Sequence, residues 1–183
     1  FNKVGILDRV QRFSGIKLPD GSLGATLSII EILKHARENK LKNVLIFEDD
    51  VQFIVDNPHE VLRQFISQIG DIKWHMLYLG ANTHQKLIKF KPNLILLKNA
   101  FALHSVVYGI PMYEILIRKY DGMKRIDKYP DILDVFLSQQ IQEKFICLMP
   151  YPMMTTQMNS YSDIEKRFVD YSFIEERYKN NIK

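Results

Sequence analysis

KNVLIFEDDV, Lys42 to Val51, decides how the rest of the chain is read. Val44, Leu45, Ile46 and Phe47 form an apolar run too short for a helix and without alternation. That pattern predicts a strand buried on both faces, as in a parallel sheet covered by helices. The run stops at three consecutive carboxylates, Glu48, Asp49 and Asp50. Side chains alternate along an extended chain, so Glu48 and Asp50 share a direction if strand geometry persists, with Asp49 opposed. Close carboxylates repel, and a hard divalent cation such as Mn²⁺ or Mg²⁺ relieves that repulsion through oxygen ligands. A nucleotide diphosphate could complete the coordination. The competing reading is a solvated turn, since charges tend to stay exposed. Spacing alone names no reaction.

Working outward, Ser28 to Asn39 reads as a helix with Ile29, Ile32, Leu33 and Ala36 on one face, and Ser28 with Glu31 has capping-box spacing. Asn57-Pro58-His59-Glu60 is a helix start, with Val61, Leu62, Phe65, Ile66 and Ile69 as the apolar face. Strands are predicted at Trp74 to Leu79, ended by Gly80, and at Leu94 to Leu97, Ser105 to Ile110 and Phe145 to Met149. Further helices are predicted at Pro111 to Tyr120 and Asp131 to Glu143. The tail after Asp163 is polar and charged, with a helix as one reading. Helices interleaved with apolar strands imply an α/β fold with a mostly parallel central sheet flanked by helices, in one domain covering residues 1–183. In such sheets ligands bind at the carboxyl ends of the strands.

Composition narrows the classes. The chain has 183 residues, 46% hydrophobic and 25% charged, which suits a globular domain. The net charge of +4 comes from scattered residues, not from the dense basic stripe of a nucleic-acid binder. It leaves room for attraction to phosphates or anionic lipid heads. The single cysteine, Cys147, excludes an intrachain disulfide and a cysteine zinc cluster, and its apolar neighbours predict a buried thiol. No apolar stretch reaches the ~20 residues of a membrane span. A cytoplasmic location with peripheral membrane contact is the expectation. The chain opens on Phe1 without an initiator Met, which fits a fragment.

Five blocks carry a resemblance. They are GSLGATLSIIEILKHARENKLKNVLIFEDDV (Gly21 to Val51), WHMLYLG (Trp74 to Gly80), AFALHSVVYGI (Ala100 to Ile110), DILDVFLSQQIQEKF (Asp131 to Phe145) and QMNSYSDI (Gln157 to Ile164). In this order the chain resembles glycosyltransferase family 25, which includes lipopolysaccharide and collagen galactosyltransferases. The resemblance covers about Phe13 to Asp163. It implies a GT-A-like nucleotide-sugar fold, Mn²⁺ or Mg²⁺ as cofactor, and inverting transfer from a nucleotide-sugar donor, a UDP-sugar, to a glycan, lipid-linked glycan or protein acceptor. It also implies Glu48 and Asp50 as metal ligands in a variant of the Asp-x-Asp motif, and Asp49, Gly24, Thr26 and His104 at the donor. The chain departs from the family at Ile29, where members often have His, and at Ala25, where they often have Cys. The usual first strand is expected before Phe1. These departures motivate an alternative, a non-catalytic relative that binds a glycan or a partner protein.

An inverting transfer needs a base for the acceptor hydroxyl, and Asp134 is the first choice. Its other reading is a first-turn acid favoured by the helix dipole. Asp131, on the same face, is a candidate on the acceptor side, although it reads more strongly as the cap after Pro130. The resemblance assigns Gln157, Ser162 and Asp163 to a loop over donor or acceptor; alone, that segment is a polar turn. Gly21 and Gly24 fit either backbone approach to the donor or plain turns. Trp74 and Tyr78 read as core rather than sugar platforms.

Overall fold

The computed structural model describes residues 1–162 and 165–182. In chain order the elements are α1 (Gly21–Glu38), β1 (Asn43–Phe47), β2 (Val51–Phe53), α2 (Pro58–Ile69), β3 (Met76–Tyr78), β4 (Asn82–Thr83), β5 (Ile88–Lys91) and β6 (Leu94–Leu96). They continue with β7 (Ala100–Phe101), β8 (Ser105–Gly109), α3 (Ile110–Tyr120), α4 (Leu133–Phe136), a π-helical turn at Leu137–Ile141 and α5 (Gln142–Lys144). The last are β9 (Cys147–Pro150), β10 (Thr155–Gln157), β11 (Ser160–Ser162), β12 (Arg167–Val169) and α6 (Ser172–Asn181).

The main sheet has six strands in the order β1-β8-β3-β9-β6-β5. Only β3 and β9 pair in parallel; the other neighbours are antiparallel. This corrects the expectation of a mostly parallel sheet. β1, β3 and β9 do run the same way. The reversed strands β8 and β6 insert between or beside them. Both come from Leu79 to Gly109, a stretch with no helix to carry a crossover, and without a crossover neighbouring strands pair antiparallel.

β1 is likewise corrected. It lies at a sheet edge and is not buried on both faces: Ile46 is buried while Leu45 is exposed. β3, like β9, is covered on both sides. Met76 and Tyr78 face a core built with Ile30 and Leu33 of α1, Met112 and Leu116 of α3, and Leu137. Leu77 points the other way, to Phe65 and Ile69 of α2 with Leu94 and Leu148. Tyr78 and Cys147 are fully enclosed, as their neighbours implied.

Helix starts follow local chemistry. Asn57 caps α2 by accepting from Glu60 N at 3.1 Å. The first turns of α1 defeat the Ser28 capping-box reading, because the helix begins at Gly21 and Asp20 caps it through Leu23 N at 3.1 Å. Ser28 Oγ instead accepts from Ile16 N and donates to Gly24 O, both at 2.7 Å, tying the segment before the helix to it. Asp131 caps no helix either. Its Oδ1 accepts from Lys119 Nζ at 2.8 Å, and α4 starts after Ile132.

Gln142 secures the helix at Leu133–Lys144 to the sheet layer. Fully buried, it accepts from Ala100 N (2.9 Å) and donates to Ala100 O (2.8 Å) and to the Tyr78 hydroxyl (3.2 Å). Gln142→Leu strands these partners without water, so a loss of about 2–4 kcal/mol of stability is expected in urea unfolding. Unchanged stability would show the bonds to be dispensable.

Candidate functional site

The acidic triplet sits where two strand systems meet. Glu48 N donates to His104 O at 3.0 Å, extending the β1–β8 ladder by one residue and setting Glu48 opposite His104. A turn follows, closed by Val51 N to Glu48 O at 3.3 Å. It leaves Asp49 exposed and returns Asp50 toward β2, which pairs with β10. Asp50 is held from the β10 end: its backbone oxygen accepts from Met158 N at 2.8 Å and its Oδ2 from Gln157 Nε2 at 3.0 Å. Its Oδ1 is buried without a partner.

Electrostatics brings Asp134 into the same neighbourhood. Burial first, then the charges of Asp50, Asp134 and Asp49, push the Glu48 carboxyl up to about 8. Burial also raises Asp50, against the Gln157 donor, and raises Asp134, against the backbone N–H of Val135. Glu48 is the one of the three raised by the charges of the others, and its negative charge has no cationic partner among those causes.

The other residues read from sequence distribute differently. His104 is enclosed, neither ring nitrogen makes a hydrogen bond of proper geometry, and burial lowers its pKa to about 4, so the ring is neutral. Gly24 is buried in α1, where a Cβ would lie 2.5 Å from Ile16 O, so chain packing already requires a glycine there. Thr26 is buried and donates to Ser22 O at 2.7 Å within its own helix. Ser162, half-buried at the end of β11, accepts from Glu165 N at 3.1 Å. Asp163 lies outside the described residues.

Tyr171 was not anticipated. Burial raises its phenol, which also senses Ser162, Asp50, Glu165 and Glu48. Its backbone N donates to Asn159 Oδ1 at 2.7 Å. Tyr171 lines a cleft of about 380 Å³ beside the triplet, together with Gln52, Thr156, Asn159, Ser172 and Glu175. Gln157 borders this cleft and also bonds Asp50. The Thr156 hydroxyl is buried without a partner. No spacing pattern signals Tyr171, because it depends on where the β11–β12 hairpin returns the chain.

Among the described residues no three His, Cys, Asp or Glu side chains form a ready-made metal cluster. Glu48 and Asp50 nonetheless suit a divalent cation as a partial donor set. The orphaned Asp50 Oδ1 and the crowded Glu48 carboxyl are the kind of oxygens a hard cation takes, with ligand oxygens making up the remainder. No helix among the described residues is long and apolar enough to cross a membrane. The sequence matches no protein-family description, and no curated protein matches it.

Proposed function

We propose that the chain is a metal-dependent inverting glycosyltransferase of GT-A-like architecture, transferring a sugar, with galactose the first donor to try, from a nucleotide-sugar. The observation that carries this reading is a Glu48 carboxyl raised by burial and by the charges of Asp50 and Asp134, with an unpartnered oxygen on Asp50, beside a cleft bordered by Gln157. Glu48 and Asp50 would hold Mn²⁺ or Mg²⁺. That ion would supply positive charge to the departing diphosphate. Gln157 positions Asp50 by its hydrogen bond. Asp134 takes the acceptor hydroxyl proton while that oxygen bonds to the anomeric carbon and the diphosphate leaves with the electrons of its C–O bond. Burial raises Asp134, which brings a carboxylate closer to the proton affinity of a useful base.

A second reading, a glycan- or partner-binding relative without catalysis, is favoured by Ile29. This side chain is buried in the core where family members often carry a polar His. A screen of nucleotide sugars with Mn²⁺, read by mass spectrometry and by calorimetry, separates the two. Transfer or donor hydrolysis that falls at least tenfold in Asp134→Asn supports the enzyme. Glycan binding without any metal-dependent nucleotide binding supports the second reading.

A further inference from the structure

Between Asp71 and Glu114 the sequence contains five lysines, Lys73, Lys86, Lys89, Lys91 and Lys98, and no Asp or Glu. That local charge exceeds the +4 of the whole chain. The fold gathers part of it on β5, the outer strand of the sheet, which pairs only with β6 among the described residues. All four residues of β5 are exposed, and two are bulky and apolar, Ile88 at 52% and Phe90 at 54%.

The lysines flank those side chains in fixed positions. Lys89 Nζ lies 3.5 Å above the Tyr151 ring, and Lys91 Nζ donates to Gln68 O at 2.6 Å. Lys86 is exposed just before the strand. Lys98 instead turns inward, donating to Glu143 O at 3.1 Å.

Lysine on an edge strand has an ordinary explanation, since it discourages edge-to-edge pairing. Exposed Ile88 and Phe90 do the opposite of what edge protection requires. Apolar side chains alternating with lysines along one exposed edge strand, with Lys86 exposed just before it, fit an anionic bilayer, where Ile88 and Phe90 enter the acyl boundary and the ammonium groups along the edge meet lipid phosphates. The rest of the sheet agrees. The acidic triplet follows β1, at the opposite edge, about 24 Å away at ordinary strand spacing. An anionic surface attracts one edge and repels the other.

We propose that the β5 edge, through Ile88, Phe90, Lys86, Lys89 and Lys91, docks the protein on an anionic membrane surface, with the acidic site turned away. This does not rest on sugar transfer. The test is co-sedimentation of the intact chain with vesicles of phosphatidylcholine containing about a quarter phosphatidylserine. The expected results are binding to these vesicles and not to pure phosphatidylcholine, and release in about 1 M salt, where the screening length is about 3 Å. The paired substitution Ile88→Ser and Phe90→Ser should lower binding more than tenfold with an unchanged circular dichroism spectrum. Lys86→Glu gives an independent arm that leaves the strand intact. It should weaken binding about tenfold or more, since each unit of charge near such a surface is worth roughly fivefold. Lys42→Glu, beside the acidic edge, should have little effect. Equal binding to neutral vesicles overturns the proposal, as does retention by both surface variants or equal loss in Lys42→Glu. So does a dimer without lipid, seen by light scattering, that the paired substitution converts to monomer, because β5 would then be a protein interface.

Discussion

Gly80→Ala is expected to unfold the protein or to cost about 3 kcal/mol or more, a loss reserved for side chains with nowhere to go. An added Cβ would stand 1.9 Å from Thr155 O, 2.8 Å from Thr155 C and 2.7 Å from its Oγ1. The nearest obstacles are backbone atoms and cannot rotate aside. Nor can that backbone retreat freely. Met154 N and Thr155 N both donate to Leu79 O, at 2.8 and 3.3 Å, and the Ser105 and Thr155 hydroxyls are 2.5 Å apart. Any retreat would move β10, and with it the Gln157 amide that bonds Asp50. A control separates crowding from backbone preference. Gly122 has φ +72° and nothing within 4 Å of an added Cβ, so Gly122→Ala should cost only about 1–2 kcal/mol of left-handed strain. Urea unfolding of both variants measures the contrast. Equal, small losses would mean that the Leu79–Thr155 contact yields easily.

Parts of the fold were legible in the sequence and others were not, according to the range over which their signals act. β3 and α2 were readable because their signals are local: an apolar run stopped by glycine, and an Asn-Pro start whose cap bond forms three residues on. Strand direction was not local. Val44 to Phe47 looks like a central parallel strand, yet β8, distant in sequence, settles beside it in reverse and leaves it at an edge. α1 was misjudged because Gly21, Ser22 and Gly24 resemble a loop. Gly24 is nonetheless helical, and it is glycine because the chain at Ile16 passes too close for a side chain. At the site, the triplet and Asp134 could be named from sequence, and the structure sets them in one electrostatic neighbourhood. The orphaned Asp50 oxygen, the burial of His104 and the presence of Tyr171 depend on long-range packing, which no spacing rule encodes.

Glu48 should couple metal binding to pH. Its ordinary carboxyl value of 4.5 rises to about 8 in the fold, chiefly through burial and then through Asp50, Asp134 and Asp49. The fold therefore favours the protonated form. Glu48's contribution to stability is full below about pH 4.5 and is lost as pH rises toward about 8. A divalent ion needs the carboxylate, so binding must expel that proton. The apparent Mn²⁺ affinity should climb up to about tenfold per pH unit between about 6 and 8, then level off. The two slopes are opposite: the contribution of Glu48 to metal-free stability falls across this window, while the stabilisation that Mn²⁺ adds grows. Thermal melts at several pH values, with and without Mn²⁺, read both. Glu48→Gln keeps the shape, removes the titrating proton and one ligand oxygen, and should flatten the metal-free slope while erasing most of the Mn²⁺ shift. A Mn²⁺ shift that persists undiminished in Glu48→Gln would move the ion away from the triplet. A shift independent of pH in the unsubstituted protein would show that Glu48 is already ionised, and that the crowding of acids around it is relieved by something other than a bound cation.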